Sequence, residues 1–373
     1  MKVYIYRVAA YQLTGSLAAL HSIAWLRLND HDVRFTVIPE QGTQVWAVLQ
    51  IDTIFECYTI QSAADSNTIN LEIPLAPLHR ALKSAQNASH ASIRLTKKEN
   101  IPLLSLTITT SIPSSGPTFA SSSTLPRPSA TDPSGRPPAS AFPDDGSQFR
   151  EESFDLGRAD RETIITQDIP IRVLAPASVH GLHEPRCREP DVHIILPSLL
   201  QLKAISDRFT RLALTNSKAG AGTGGAFKAA AGAATPKLEL AANMHGVLRL
   251  RLRTDAMNIS STWTGLTNPE LDPGMVEGGE QGLATHPSTR MKEVGDAEGA
   301  SEEGWAVVRV EGRDWGRVLG VGRLGGRVIA CFCHEHALIL YVYLAGEGEG
   351  DEESVLTYYV IRTSSSDCSK RSA

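Results

Sequence analysis

Between Thr68 and Thr107 the hydrophobic period of the chain changes twice, and few folds accommodate that change. TINLEIP and ASIRLTKKENIPLLSLT alternate like strands, while the residues between them repeat with the period of a helix. Leu75, Leu78, Ala81, Leu82 and Ala85 share one arc of that helix. Arg80, Lys83, Ser84 and Asn87 occupy the opposite arc, with no carboxylate among them. Pro74 and Pro77 suit the start of the helix, where a missing N–H costs nothing. A helix with an apolar belly and a cationic back, set between strands, has to lie on the sheet those strands build.

The same order recurs along the chain. Met1–Tyr6 reads as a short strand, followed by a helix with Leu13, Leu17 and Leu20 on one face. Strand-like runs follow at Ala24–Leu28, Val33–Ile38, Gln44–Ile51 and Thr53–Ile60, with turns at Asn29–Asp32 and Gln41–Gly42. After the opening stretch, residues 112–161 collapse into Ser, Pro, Thr, Gly and Asp, a composition that cannot offset its chain entropy by burial. Thr163–Leu174 resumes as a strand whose Pro170 points to a sheet edge or a bulge. A second cycle starts at Val192: a strand, then a helix over Pro197–Leu214 with Leu202, Ile205, Phe209 and Leu212 on one side. Lys203, Arg208 and Arg211 lie on its other side, with Asp207. Strands are expected at Lys237–Ala242, Val247–Arg253, Met257–Thr264 and Ala306–Val310. A short, glycine-weakened helix at Arg313–Leu319 follows, then a hairpin of Val328–Cys333 and Ala337–Leu344, and a last strand at Val355–Arg362. Helices interrupting runs of consecutive short strands make an α+β fold with antiparallel sheets, not alternating βαβ.

Charge is unevenly placed. The chain of 373 residues has a net charge of −5, yet segments 266–303 and 344–353 alone carry −7 and −5, leaving +7 on the rest. Five cysteines without framework spacing argue for a reducing compartment. The run Val8–Trp25 is broken by Gln12, Thr14, Ser16 and His21, which favours an amphipathic helix over a signal peptide. No run is long and apolar enough for a helical membrane span.

Two motifs invite a chemical reading. Cys331, Cys333, His334 and His336 are four potential metal ligands in six residues, the basis for an alternative reading as a metal-dependent enzyme. Strand alternation, however, puts the two cysteines on one face and the histidines at the turn, so a metal site is not expected. Gly320–Gly326 resembles part of a dinucleotide fingerprint, but it leads out of a helix and reads as a terminator and loop. His21, His31 and His79 read as isolated surface residues. What does recur is the cationic helix back: Arg80, Lys83, Lys203, Arg208, Arg211, Arg313, Arg317 and Arg323 stand against Asp207 and Asp314. Charge alone leaves two readings open, solvated faces or one surface tracking a phosphate backbone.

A resemblance adds to this. VRFTVIPEQGTQVWAVLQIDTIFECYTIQSAADSNTINLEIPLAPLHRALKSAQNA and ASIRLTKKENIPLLSLTI resemble the Hus-one-type subunit of the nine-one-one DNA-damage checkpoint clamp, in its filamentous-fungal form. ITQDIPIRVL, EPDVHIILPSLLQLKAISDRF and LTNPELDP are similar to the same family. The resemblance implies a fold like the PCNA sliding clamp, with two similar domains presenting helices to a DNA-encircling channel and sheets outside. The domains would be 1–174, with an insertion at 112–161, and 191–362, with insertions at 214–236, 266–303 and 344–353. An interdomain linker at 175–190 and a polar tail at 363–373 complete the division.

The function implied is that of a non-enzymatic, cofactor-free subunit acting in checkpoint signalling and DNA repair in the nucleus. Its implied partners are Rad-nine-like and Rad-one-like subunits, a clamp loader and double-stranded DNA. The channel residues would be Arg80, Lys83, Lys203, Arg208, Arg211, Arg313 and Arg317; the first helix lacks such a basic face. Subunit joints in this fold form by edge-strand pairing. Thr163, Ile165, Gln167, Ile169 and Ile171 are assigned to one joint, and Met257, Ile259, Ser261 and Trp263 to the other. A homotrimeric replication clamp is the second alternative.

Overall fold

The computed structural model describes residues 2–112, 161–219, 236–254, 257–276, 278–296, 301–344 and 354–361. Most of the insertion expected at 112–161, the residues 220–235, the segment 345–353 and the tail from 362 lie outside the described residues.

One unit accounts for the topology when it is used four times. The first copy is β1 (Lys2–Ile5), α1 (Arg7–Ala18), β2 (Ile23–Leu28), β3 (Asp32–Val37) and β4 (Gln44–Gln50), closed by a helical turn α2 (Ile51–Ile54) and β5 (Phe55–Thr59). The second is β6 (Ile69–Pro74), α3 (Leu75–Ala85), β7 (His90–Lys98), β8 (Ile101–Ile112), β9 (Arg161–Pro170) and the two-residue β10 (Arg172–Val173). After a connector holding the turn α4 (Pro176–Val179), the third is β11 (Val192–Ile195), α5 (Leu199–Ala219), β12 (Lys237–Ala242), β13 (Leu248–Thr254) and β14 (Met257–Trp263). Helices α6 (Gly279–Thr285) and α7 (Pro287–Val294) intervene. The fourth copy is β15 (Ala306–Glu311), α8 (Gly312–Val318) with a 3₁₀ extension Leu319–Leu324, β16 (Arg327–Cys333), β17 (Ala337–Leu344) and β18 (Ser354–Ile361).

In each copy the helix carries the chain from one sheet to another. The sheets are ordered β5-β1-β7-β8-β9, β10-β6-β2-β3-β4-β18-β17-β16-β11 and β14-β13-β12-β15. Exchanging the first two copies maps the five-stranded sheet onto β10-β6-β2-β3-β4, and exchanging the last two maps the four-stranded sheet onto β18-β17-β16-β11. Every pairing among these strands is antiparallel, and β4 against β18 runs the central sheet across both halves of the chain. Thr43 Oγ1 donates to Asp314 Oδ2 at 2.7 Å, and Ser354 Oγ accepts from Gln50 N at 2.9 Å, adding two further ties between the halves. One core cluster extends from Val3 to Val360.

Four expectations change. Thr53–Ile60 is not all strand, because its start winds into α2, where Thr53 Oγ1 lies 2.6 Å from Ser354 Oγ. The second-cycle helix runs on to Ala219, past the expected insertion start at 214. Leu212 is 36% exposed, since the buried arc is Leu199, Leu202, Ser206, Phe209 and Ala213 and Leu212 falls just outside it. Segment 266–303 is not simply a loop: α6 and α7 form there, and His286 and Ser288 are buried. Thr267 O accepts from Ile195 N at 2.8 Å, and Asn268 Nδ2 donates to His193 O at 2.8 Å, so the segment covers β11, which would otherwise be an open sheet edge.

Candidate nucleic-acid interface

The four sheet-crossing helices pack as two pairs, α1 with α3 and α5 with α8, and α1 also meets the 3₁₀ turn that extends α8. On α3 the predicted belly is buried at all five positions, and Arg80, Lys83, Ser84 and Asn87 are exposed. His79 is not the surface residue expected. Its ring stacks on Tyr11 with centroids 4.4 Å apart, and its Nδ1 lies 3.4 Å from Thr14 Oγ1. A Cβ on Gly15 would sit 2.8 Å from His79 Cε1, so this glycine is what lets α1 approach α3. Burial lowers the His79 pKa, and the nearby Lys83 charge adds to the shift.

Trp315 is fully buried and its Nε1 donates to Ser206 Oγ at 3.2 Å, fixing α8 to α5. A Cβ on Gly316 would meet Asp207 Oδ1 at 2.9 Å, and one on Gly312 would meet Thr210 Oγ1 at 2.6 Å. The glycines expected to weaken this helix therefore admit it against α5. Lys203 Nζ donates to Gly316 O at 2.6 Å and pairs with Asp207 at 3.1 Å. Of the assigned cations, Lys203 is thus committed to helix docking.

Between α1, α5 and α8 lies a groove of about 610 Å³. Gly15, Ser16 and Ala19 line its α1 side, and Arg211, Arg313, Arg317 and Arg323 line the rest together with Lys203 and Asp207. The four arginines are exposed, and none of them makes an ion pair among the described residues. Asp207 is answered by Lys203, and Asp314 is turned away to Thr43. The groove is therefore a concave surface with a positive field, which suits a chain of phosphates. Arg208 is exposed outside the groove, and Arg80 and Lys83 stand on the back of α3. Arg323 belongs with the groove although it follows the α-helix, because the 3₁₀ turn continues the winding.

The two strands assigned to subunit joints, β9 and β14, each lie at one edge of their sheet, the other edges being β5 and β15. On β9, Ile164 and Ile165 are 65% and 43% exposed, and Thr163 is exposed. Ile169 and, just past the strand, Ile171 are buried in the core, so of the assigned residues Thr163, Ile165 and the half-buried Gln167 have side chains to offer, beside exposed Thr166, Asp168 and Pro170. On β14 the assigned Met257, Ile259, Ser261 and Trp263 alternate with exposed Asn258, Ser260 and Thr262, and it is the latter that face outward.

The cysteine–histidine run splits as alternation requires. Cys331 and Cys333 pack with Ile339, Tyr359 and the connector's Cys187. Burial pushes their thiols up to about 12 and about 11, respectively, so both stay protonated near neutrality. His334 Nδ1 instead accepts from Val307 N at 3.1 Å. Among the described residues no three His, Cys, Asp or Glu side chains converge as a metal ion needs.

Comparison with known proteins gives this geometry a family. The profile of the family described as Hus1-like protein matches residues 8–364. "Checkpoint protein hus1" of Schizosaccharomyces pombe is 35% identical over 354 residues, covering 94% of this chain and 95% of that protein. The structure of A. fulgidus PCNA bound to the C-terminal region of FEN-1 superposes with a TM-score of 0.54 at 11% identity, covering 98% of this chain and 99% of that one. A PCNA2-PCNA3 complex from Sulfolobus tokodaii gives a TM-score of 0.51 at 13% identity, covering 97% and 98%. Four repeated units, two helix pairs on one side and sheets on the other are thus the sliding-clamp fold, and the chain belongs to the Hus1-like family of checkpoint proteins.

Proposed function

We propose that this chain is one subunit of a heterotrimeric ring that encircles DNA, is placed at damaged sites by a clamp loader, and acts in nuclear checkpoint signalling and repair. Its family makes it a checkpoint clamp subunit, a scaffold and not an enzyme. The observation that carries the finer reading is the groove with Arg211, Arg313, Arg317 and Arg323 on rigid helices, opposite the sheets. A ring stays on DNA by topology, so strong binding is unnecessary and would impede sliding. A few unpaired guanidinium groups make weak, sequence-independent phosphate contacts of the kind sliding tolerates.

Two free edges of different character support a hetero-oligomer. The β9 edge exposes Ile164 and Ile165 among Thr163, Thr166 and Asp168, whereas the β14 edge exposes Asn258, Ser260 and Thr262, so in a head-to-tail ring of identical copies the two isoleucines would meet no apolar counterpart among these exposed residues. Co-expression with Rad-nine-like and Rad-one-like subunits, followed by native mass measurement, tests this. A 1:1:1 complex is expected, and in pairwise co-expression Ile164→Lys/Ile165→Lys should abolish the complex with one of the two partners and leave the complex with the other, which is held through β14. A homotrimer of this chain alone, or pairwise complexes with both partners unimpaired in the double variant, would refute the joint as assigned.

A further inference from the structure

The helix groove does not account for all the concentrated positive charge. On β13 the sequence LRLRLRT puts Leu248, Leu250 and Leu252 into the core and Arg249, Arg251 and Arg253 on the opposite, outer face of the four-stranded sheet. Register extends this into a field: Arg251 stands across from Glu239, which stands across from Arg309, and Lys237 lies two residues along β12 from Glu239. Five cations share this face with two carboxylates, the central Glu239 and Glu311, which stands across from Lys237, and Glu302 acts on Arg249 from nearby. Glu239 accepts from Arg251 Nη1 at 3.3 Å and from Arg309 at 3.4 Å, so a single acid serves two arginines. Arg253 and Lys237 are exposed and make no ion pair among the described residues. The Arg249 guanidinium lies 4.2 Å from the centre of the Trp305 ring.

The equivalent face elsewhere in the molecule differs completely. Exchanging the third and fourth copies of the unit brings β13 onto β17, where the outward positions corresponding to Arg249 and Arg251 are Ile339 and Tyr341. That face is apolar and is covered by the connector, through Cys187 and through Glu184, whose Oε1 accepts from Tyr359 Oη at 2.9 Å. One face is thus built to be covered by the chain itself. Its counterpart carries an arginine ladder instead.

We propose that the outer face of the four-stranded sheet docks an extended acidic peptide segment of a partner protein, one with Asp or Glu at alternate positions. Successive outward side chains on β13 are roughly 7 Å apart, the same repeat as alternate side chains of an extended peptide, so carboxylates can meet Arg249, Arg251 and Arg253 in register. A peptide fits better than a nucleic acid. The one aromatic ring of the patch, Trp305, is buried beneath Arg249 and offers no platform for a base.

The test uses the full chain in its assembled complex and a fluorescein-labelled twelve-residue peptide with Glu alternating with Ser and Val, read by anisotropy. Saturable binding is expected, weakened about tenfold or more by Lys237→Glu/Arg253→Glu, which alters only exposed side chains. Arg313→Glu/Arg317→Glu in the helix groove should leave peptide binding unchanged, and the outer-face variant should leave retention on DNA unchanged. No binding by the unaltered protein, or equal binding by the outer-face variant with an unchanged melting curve, would overturn the proposal. Tighter binding of a twelve-nucleotide single strand, abolished in the same variant, would also overturn it and assign the face to nucleic acid.

Discussion

Two helix pairs built from the same repeated unit show different chemistry to the outside. In the first half, α1 turns Gly15, Ser16 and Ala19 to the groove, and the exposed cations Arg80 and Lys83 sit on α3 beyond it. In the second half, α5, α8 and the following turn place Arg211, Arg313, Arg317 and Arg323 in the groove itself. Inward, the pairs are alike: Leu75, Leu78 and Leu82 are buried on α3 as Leu199, Leu202 and Phe209 are on α5. Each pair also closes on a glycine, Gly15 against His79 and Gly316 against Asp207. Packing therefore constrains the belly of each helix and leaves its back free. The second half uses that freedom for charge, and the first for space in which the groove can receive a ligand.

If the buried faces are equivalent, removing an anchor from either should be equally serious. Trp315→Ala is expected to cost about 3–5 kcal/mol and Leu82→Ala about 2–5 kcal/mol, measured by urea unfolding. A negligible effect in one half would break the equivalence. Next in size, Gly312→Val should cost about 1–3 kcal/mol, because its Cβ would lie 2.6 Å from Thr210 Oγ1 and 3.1 Å from the Pro236 carbonyl oxygen where α8 meets α5. Retention of full stability would mean that the close approach of the helices is unimportant.

The smallest effect is with pH. Burial lowers the pKa of His79 between α1 and α3, and of His193 beneath segment 266–294, where Nδ1 has no hydrogen-bond partner among the described residues and the His286 ring adds to the shift. Around His193 the facing groups are His286 and the Pro269 carbonyl. Both histidines thus bind protons less readily in the fold than when unfolded. Their contribution to stability is present above the ordinary imidazole value of 6.5 and disappears as pH falls through the lowered folded values. Melting temperature should decline below about pH 6.5, less steeply in His193→Gln than in the unaltered protein. Identical slopes would show that His193 does not contribute to the decline.

The legible parts of the sequence were those where one period dominated. The α3 belly could be read residue by residue because its arc contains only apolar residues. On α5 small residues interrupt the arc: Ser206 is buried because the Trp315 indole donates to it, a partner 109 positions away that no local period encodes. Duplication in two halves could be seen, but not the fourfold repeat, because each unit divides its strands between two sheets and only pairing reveals the match. The α6–α7 segment was hidden by its exposed acids, and the role of Lys203 by its position on a face that otherwise reads as solvated. An edge at β9 was legible from Pro170, whereas β14 was assigned to a joint only through the family resemblance. Which side chains face outward follows alternation on β14, whereas on β9 the adjacent Ile164 and Ile165 are both exposed, which alternation does not give.

On the proposed function, the second-half groove, more than the back of α3, meets the DNA backbone. Retention of the assembled heterotrimer on nicked circular DNA, measured across a salt series, tests this directly. Arg211→Glu/Arg313→Glu/Arg317→Glu should shorten retention and reduce the salt dependence by about 0.9 for each phosphate no longer neutralised, with the trimer mass unchanged. Arg80→Glu/Lys83→Glu should do so to a lesser degree. Retention and salt dependence unchanged in the groove variant, or a larger effect in the α3 variant, would contradict the assignment of the groove.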